Sequence, residues 1–264
     1  MCTIIAKKFP NVGWVAVKNR DRSAPTRTKL LRDQEERYQR VTLVDEDTQW
    51  TEGMNSNGVS ILSSSLTPVI NGDRDRNTKQ HSSRNGVILR DALAQPSLDT
   101  AIAVIRDRQV SGCVMIFDSD RMVLVEGKGG DTRQQIIKEI TSDSVARTNH
   151  GIWLPNAGYQ LNSDNTVSEM HRLSSEARLK TAQHILEISN TPYQLMPLLA
   201  KQWSDNPQLN TLRMPTDFID TRTTEQLMII PSKKLILLRN VNGKLDFNQA
   251  DANPPGSEVM VGIL

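Results

Sequence analysis

At 264 residues the chain is long enough to bury a sizeable core, and it reads as one domain, 1–264. Its 32 Lys and Arg stand against 30 Asp and Glu, a net charge of +2, which gives no electrostatic ground for binding nucleic acid or an acidic membrane. No run of about 18 uncharged apolar residues occurs and the start lacks a secretory h-region, so no membrane span is expected and a cytoplasmic location is.

The first third reads as strand-rich: Cys2–Lys7, Gly13–Lys18, Val41–Val44 and Val59–Leu66 are apolar, β-branched or alternating. The polar stretch Asn71–Asn85 reads as a solvated loop. Gly86–Arg108 has apolar residues at helical spacing broken near Pro96, which predicts two short helices. The run GCVMIFDSDRMVLVEGKGG from Gly112 predicts a hairpin turning at Asp118-Ser119-Asp120. Met170–Ile188 and Gln194–Trp203 read as amphipathic helices, and EQLMIIPSKKLILLRNV as a second hairpin turning at Pro231-Ser232-Lys233-Lys234. Hairpins alternating with helices, without regular βαβ repeats, predict an α+β domain of antiparallel sheets covered by helices.

Cysteine and histidine usage narrows the chemistry. Only Cys2 and Cys113 occur, which argues against a disulfide framework, and His81, His150, His171 and His184 lack zinc-ligand spacing, so no metal is expected. His184 with Glu187 marks a helix face. Cys113, within an apolar strand pattern, reads as inert core.

Cys2 is different. Removal of Met1 would put a thiol and an α-amine on one residue, with pKa values of about 8.5 and about 8, so the amine can take the thiol proton without a histidine. A hairpin between the first two strands returns Lys18, Asn19, Arg20 and Asp21 to the N-terminus, where Asp21 could orient the ammonium and a cation favours thiolate. By position alone, Cys2 also reads as an ordinary small strand residue.

Six short motifs occur in one order: MCT at the start, Asn19-Arg20-Asp21, GMNSNGVSILSSSL at 53–66, GCVMIFDSDRMVLVE at 112–126, RTNHG at 147–151 and SSEARLKTAQHIL at 174–186. Together they resemble the cysteine branch of the N-terminal-nucleophile hydrolases, which holds choloylglycine hydrolases, penicillin V acylases, acid-ceramidase-like amidases and the isopenicillin acyltransferase group. The resemblance spans most of the chain. It implies a four-layer αββα sandwich with two antiparallel sheets, and an amidase or acylase acting on a small-molecule amide with no cofactor. Carried over, Cys2 is the nucleophile with its amine as base, Asp21 holds that amine, Asn149 supplies an oxyanion donor, and Arg178 supports the nucleophile region.

This chain departs from the pattern at two places. Lys18 stands where the bile-salt enzymes have arginine, with Arg20 two residues on, so the positive charge is kept without the same planar fork. Ser63-Ser64-Ser65 stands where the family often has Asn or Tyr, leaving a backbone N–H near Ser65 as the second donor. Lys18, Arg20 and Ser65 are thus the residues expected to bind substrate or support the site electrostatically. The NRD stretch also resembles the NRDE group related to transport and Golgi organisation, with Arg22 replacing the glutamate.

Other readings stand beside these. Asn55 and Gly58 read as a turn before a buried strand. For Asn149, a turn before Gly151 competes with the oxyanion role, and Arg178 alone would read as a solvated helix face. His150 reads as structural or substrate-lining, and Trp50, Trp153, Trp203 and Tyr159 as core rather than an acyl pocket. An amine in place of water as acceptor would make the site an acyltransferase. Retention of Met1 would favour an inactive binding or structural protein. The arginines of 20–40 and 74–84 are mixed with acids and lack aromatic interleaving, so no nucleic-acid partner is expected. Homo-oligomers are common among the enzymes the chain resembles.

Overall fold

The computed structural model describes residues 2–23, 27–35, 38–46, 48–66, 77–128, 134–154, 157–159, 164, 166–214, 221–241, 244–246 and 258–262. In chain order the elements are β1 Thr3–Phe9, β2 Gly13–Ser23, β3 Arg27–Glu35, β4 Tyr38–Asp45, β5 Thr51–Asn55, β6 Ser60–Ser64, α1 Asn77–Leu93 and α2 Leu98–Arg108. Then come β7 Gly112–Phe117, β8 Met122–Lys128, β9 Gln134–Glu139, β10 Ser144–Arg147, α3 Glu169–Ile188 and α4 Leu195–Ala200. The chain closes with β11 Thr221–Ile230, β12 Leu235–Asn240, β13 Lys244–Asp246 and β14 Glu258–Gly262. The strands form two sheets, ordered β10-β1-β2-β11-β12-β14 and β13-β3-β4-β5-β6-β7-β8-β9. All pairings are antiparallel except that of β13 with β3.

Strand alternation sends successive side chains to opposite faces, and three apolar clusters follow from it. Ile4, Ala6, Trp14 and Leu227 of the first sheet meet Leu43, Met54, Met115 and Phe117 of the second, forming the core between the sheets. The outer face of the second sheet, with Ile61, Val114 and Val125, is covered by Ile88 and Leu89 of α1 and Ile102 and Ile105 of α2. The outer face of the first, with Ile5, Val15, Val17 and Met228, is covered by Ala182 and Ile185 of α3 and Leu195 and Leu199 of α4. The four layers are therefore α, β, β, α, as the motif resemblance implied.

Local signals explain the boundaries. Ser97 caps α2 through a reciprocal capping box with Thr100 directly after Pro96, which separates α1 from α2. The hairpins expected at 118–120 and 231–234 are present as β7–β8 and β11–β12, and Asn55 turns the chain into β6 by accepting from the N–H groups of Asn57 and Val59.

Three sequence expectations need correction. The stretch read as a loop to residue 85 is helical from Asn77, while 71–76 fall outside the described residues. Its polar first turns carry no apolar stripe, and the helix is held further on, where the Asn85 amide donates to Ser111 O at 2.7 Å. The second strand, read as Gly13–Lys18, continues to Ser23, and its charged residues are partnered inside the fold. Finally β3, RTKLLRDQE, was not anticipated because it places only Leu30 in the core.

Candidate active site

Register brings the N-terminus together with two distant stretches. Ile4 pairs with Arg147 of β10, and Thr3 with Asn19 of β2. Continuing each register outward sets Asn149 opposite Cys2, and Asp21 one step beyond the Cys2 position. Alternation along β2 then divides its polar residues. Lys18, Arg20 and Arg22 face the gap between the sheets, while Asn19 and Asp21 face the α3–α4 layer.

The gap side is an ionic cluster. Lys18 pairs with Glu52 and donates to Ser63 O at 2.5 Å; Glu52 also accepts from the Ser63 N–H at 2.9 Å and hydroxyl at 3.0 Å. Arg20 pairs with Asp45 at 2.9 Å and Glu225 at 3.5 Å and donates to Thr28, while Arg22 lies 3.2 Å from Asp45. Burial works against the Arg20 charge, yet Glu225, Asp45 and Glu52 hold its pKa above the usual value. Burial likewise opposes ionisation of Glu52, but Lys18 and Arg20 keep its carboxyl below the usual range. Unlike charges at these distances favour the ionised forms.

Cys2 sits where these layers end, 6% exposed. Its N–H donates to Asn149 Oδ1 at 2.6 Å, and Asn149 Nδ2 donates to Ser65 O at 3.1 Å. A side-chain amide has two N–H groups, so one remains beyond the Ser65 contact. The loop carrying Asn149 is fixed from below. Buried Glu126 accepts from the backbone N–H groups of Ile152, Trp153 and Leu154 at 2.9, 2.8 and 3.1 Å, with Arg147 Nε 3.7 Å away. Ser64 donates to Thr148 O at 2.9 Å. Gly158, at φ +82°, backs onto Asn149 so closely that a Cβ there would lie 1.7 Å from the Asn149 carbonyl oxygen.

On the helix side, Asp21 Oδ1 accepts from the Thr223 hydroxyl at 2.8 Å, and Oδ2 lies 3.9 Å from Arg178 Nη1 and 4.0 Å from Arg213 Nε. Arg178, fully buried, donates to Ser174 O at 3.2 Å, Cys2 O at 3.4 Å and Thr3 Oγ1 at 3.2 Å. Burial lowers its pKa to about 10, with the nearby Arg213 charge adding to the effect and Asp21 opposing it. The guanidinium is still charged at neutral pH.

In the course of its chain, the protein is similar to penicillin V acylase. The acylase, from Agrobacterium tumefaciens, superposes with a TM-score of 0.48 at 12% identity, over 90% of this chain and 83% of its own. Two variants of the conjugated bile acid hydrolase from Clostridium perfringens give TM-scores of 0.46 and 0.43 at 9% identity, over 91% and 90% of this chain and 89% of theirs. Neither a protein-family model nor a curated protein sequence matches the chain.

Of the residues singled out in the sequence, Cys2, Asp21, Asn149 and Arg178 converge on the N-terminal end of β1. Met1 lies outside the described residues. Lys18 and Arg20, expected to bind substrate or support the site electrostatically, are both buried in ion pairs between the sheets. Of the arginines of 20–40, Arg20 is buried and Arg40 pairs with Asp33 at 2.8 Å, while Arg27 and Arg32 are exposed. Ser65 is exposed and meets the site through its carbonyl. Arg178 is not the solvated helix residue its pattern suggests. His150 is held inside the fold: Nδ1 lies 3.0 Å from Thr148 Oγ1 and 2.9 Å from Ser175 Oγ, its ring stacks on Tyr159 at 5.3 Å, and burial lowers its pKa.

Glu126, Arg213 and Thr223 were not anticipated, since no motif contains the latter two and Glu126 ends an apolar run. Among the described residues no group of three or more His, Cys, Asp or Glu is arranged to hold a metal, and no helix is long and apolar enough to cross a membrane.

Proposed function

We propose that the protein is a cysteine amidohydrolase that cleaves a linear carbon–nitrogen amide bond of a small molecule, through an acyl-enzyme on Cys2 exposed by Met1 removal. The observation that carries this reading is the Cys2 N to Asn149 Oδ1 contact at 2.6 Å. It holds the nitrogen that becomes the α-amine against a residue with an N–H to spare.

Once Met1 is hydrolysed away, the amine takes the thiol proton and the thiolate attacks the amide carbonyl carbon. The C–S bond forms as the carbonyl pair moves onto oxygen. The remaining Asn149 N–H donates to that oxyanion, a contribution of about 3–4 kcal/mol for a preorganised donor. The ammonium then protonates the departing nitrogen as the C–N bond breaks, leaving a thioester. Water, deprotonated by the free amine, attacks the thioester and returns the thiol. Asp21 orients the ammonium, while Arg178 fixes the Cys2 carbonyl.

The test is a peptide map of the native protein after brief alkylation at neutral pH, followed by a screen of N-acyl amides with wild type and Cys2→Ala. Burial raises the Cys113 thiol to about 12, so it serves as the silent control. The expected result is loss of Met1, labelling of Cys2 far ahead of Cys113, and hydrolysis that Cys2→Ala abolishes. Retained Met1, an unreactive Cys2, or hydrolysis surviving in Cys2→Ala overturns the reading.

A further inference from the structure

Strand β6 pairs with β7 along its whole length, from Ser60 opposite Phe117 to Ser64 opposite Cys113, but with β5 only at Ser60 and Ile61. Beyond Ile61, side chains take over from the β5 backbone. Glu52 Oε1 accepts from the Ser63 N–H at 2.9 Å and from its hydroxyl at 3.0 Å, while Lys18 Nζ, paired with the same oxygen, donates to Ser63 O at 2.5 Å. Both main-chain groups of Ser63 thus meet one ion pair, as they would meet a neighbouring strand.

The two residues that follow hold the Asn149 loop. Ser64 Oγ donates to Thr148 O at 2.9 Å, and Ser65 O accepts from Asn149 Nδ2 at 3.1 Å. Asn149 Oδ1 accepts from the Cys2 N–H at 2.6 Å. The amide is therefore oriented by Cys2 at its oxygen and by the end of β6 at its nitrogen, and those two contacts set the direction of its second N–H. Glu52 and Lys18 are each 1% exposed. A buried ion pair adds little stability over apolar side chains of similar volume, but apolar side chains could not accept the Ser63 N–H.

We infer that Glu52, held by Lys18, is a positioning residue that sets the end of β6 and through it aims the Asn149 amide at the oxyanion. This rests on the reading of Asn149 as the oxyanion donor for attack by Cys2. Losing one such donor slows a reaction by about 10²–10³-fold, and misplacing a group by about 1 Å can cost about 10²-fold.

The experiment compares two reactions of Cys2 in the full-length protein, each followed by mass mapping of the Cys2 peptide. Acetylation by p-nitrophenyl acetate passes through an oxyanion: the thiolate adds to the ester carbonyl, the C–S bond forms, and p-nitrophenolate leaves with the electron pair of the broken C–O bond. Alkylation by iodoacetamide displaces iodide at a saturated carbon and builds no oxyanion. The ratio of the two rates reads the oxyanion donor and cancels changes in the thiol itself. Glu52→Leu is combined with Lys18→Met, so that neither charge is left buried alone. Glu52→Gln with Lys18→Met restores an acceptor for the Ser63 N–H.

The expected result is a ratio about tenfold or more below wild type in the first double variant, with part of the loss recovered in the second. An unchanged ratio in the first overturns the inference and leaves the proposed function standing. Equal losses in both assign the effect to packing and overturn the inference as well. A wild-type Cys2 that iodoacetamide labels and the ester does not overturns the oxyanion role of Asn149 and this inference together, and a Cys2 that reacts with neither overturns the proposed function first. Where the first double variant does not fold, Ser64→Ala carries the test. It cuts only the bond from β6 to Thr148, the ratio is expected to fall by a smaller step, and no fall overturns the inference.

Discussion

Replacing Glu126 by Gln tests whether the Asn149 loop is held by one buried carboxylate. The carboxylate receives the N–H of Ile152 on Oε1 and those of Trp153 and Leu154 on Oε2, at 2.8–3.1 Å, with Arg147 at 3.7 Å. Glutamine has the same shape but one acceptor oxygen. Turned toward Trp153 and Leu154, it points its NH2 at the Ile152 N–H, and a buried donor left unmatched costs about 1–3 kcal/mol. The two surviving bonds fall from charge-assisted to neutral strength, a further loss of about 1 kcal/mol. Arg147 keeps its stack on Trp153 at 5.0 Å but loses its nearest buried counter-charge. The sum is about 3 kcal/mol, equivalent to a fall in Tm of about 6–12 °C for a domain of this size.

Two measurements separate this from a diffuse effect. Differential scanning calorimetry reads the Tm, and hydrogen exchange followed by mass spectrometry reads peptides spanning 148–159. Three kcal/mol lost locally accelerates exchange there by about 100-fold, with peptides of α1 and α2 far less affected. A Tm within 2 °C of wild type together with unchanged exchange in 148–159 would refute the role assigned to Glu126.

Gly158→Ala is expected to displace Asn149, because the new Cβ meets the Asn149 carbonyl oxygen at 1.7 Å with φ at +82°; loss of any Cys2-dependent hydrolysis with a destabilisation above about 1 kcal/mol checks it, and wild-type activity would count against it. Acid should weaken the fold in two stages. Burial, reinforced by Arg178, lowers His171 from 6.5 to about 3, so its contribution is complete above pH 6.5 and is lost as pH falls below that value. At pH 5 the loss from this residue is about 2 kcal/mol, and His150 adds in the same direction. Asp45 and Glu52, held low by their cations despite burial, add their loss at lower pH, below the ordinary carboxylate range. Urea midpoints at pH 7.5 and pH 5 for wild type and His171→Gln read this, and equal differences in the two proteins would sink the His171 assignment.

The sheets and helices were legible because the hairpins at 118–120 and 231–234 and the break at Pro96 depend on short-range pattern. Cys2, Asp21, Asn149 and Arg178 were named together only through the resemblance carried by motifs spread over most of the chain. What was not legible depends on partners far along the chain. The strand β2 was read as ending at Lys18 because its apolar alternation stops there, and Glu52, Asp45 and Glu225, from three other strands, are what pair its charges inside the fold. Arg178 looked exposed because its helix is amphipathic. Its polar stripe of Ser174, Ser175 and Arg178 is instead turned inward against the ends of β1 and β10. Arg213 gave no signal, since its neighbours in sequence share none of its contacts.

The two faces of β2 carry different charged groups. Between the sheets, Lys18, Arg20 and Arg22 meet Glu52, Asp45 and Glu225, so three cations are matched by three carboxylates. Toward the helices, Asp21 lies 3.9 Å from Arg178 and 4.0 Å from Arg213. The cluster between the sheets holds them in register, while the helix-side group lies by the end of β1 that carries Cys2. Under the proposed function the α-amine takes the proton of the nucleophile, and an ordinary thiol yields it to an ordinary amine far more readily than a serine hydroxyl does. Cys2→Ser should therefore keep the fold and lose the chemistry.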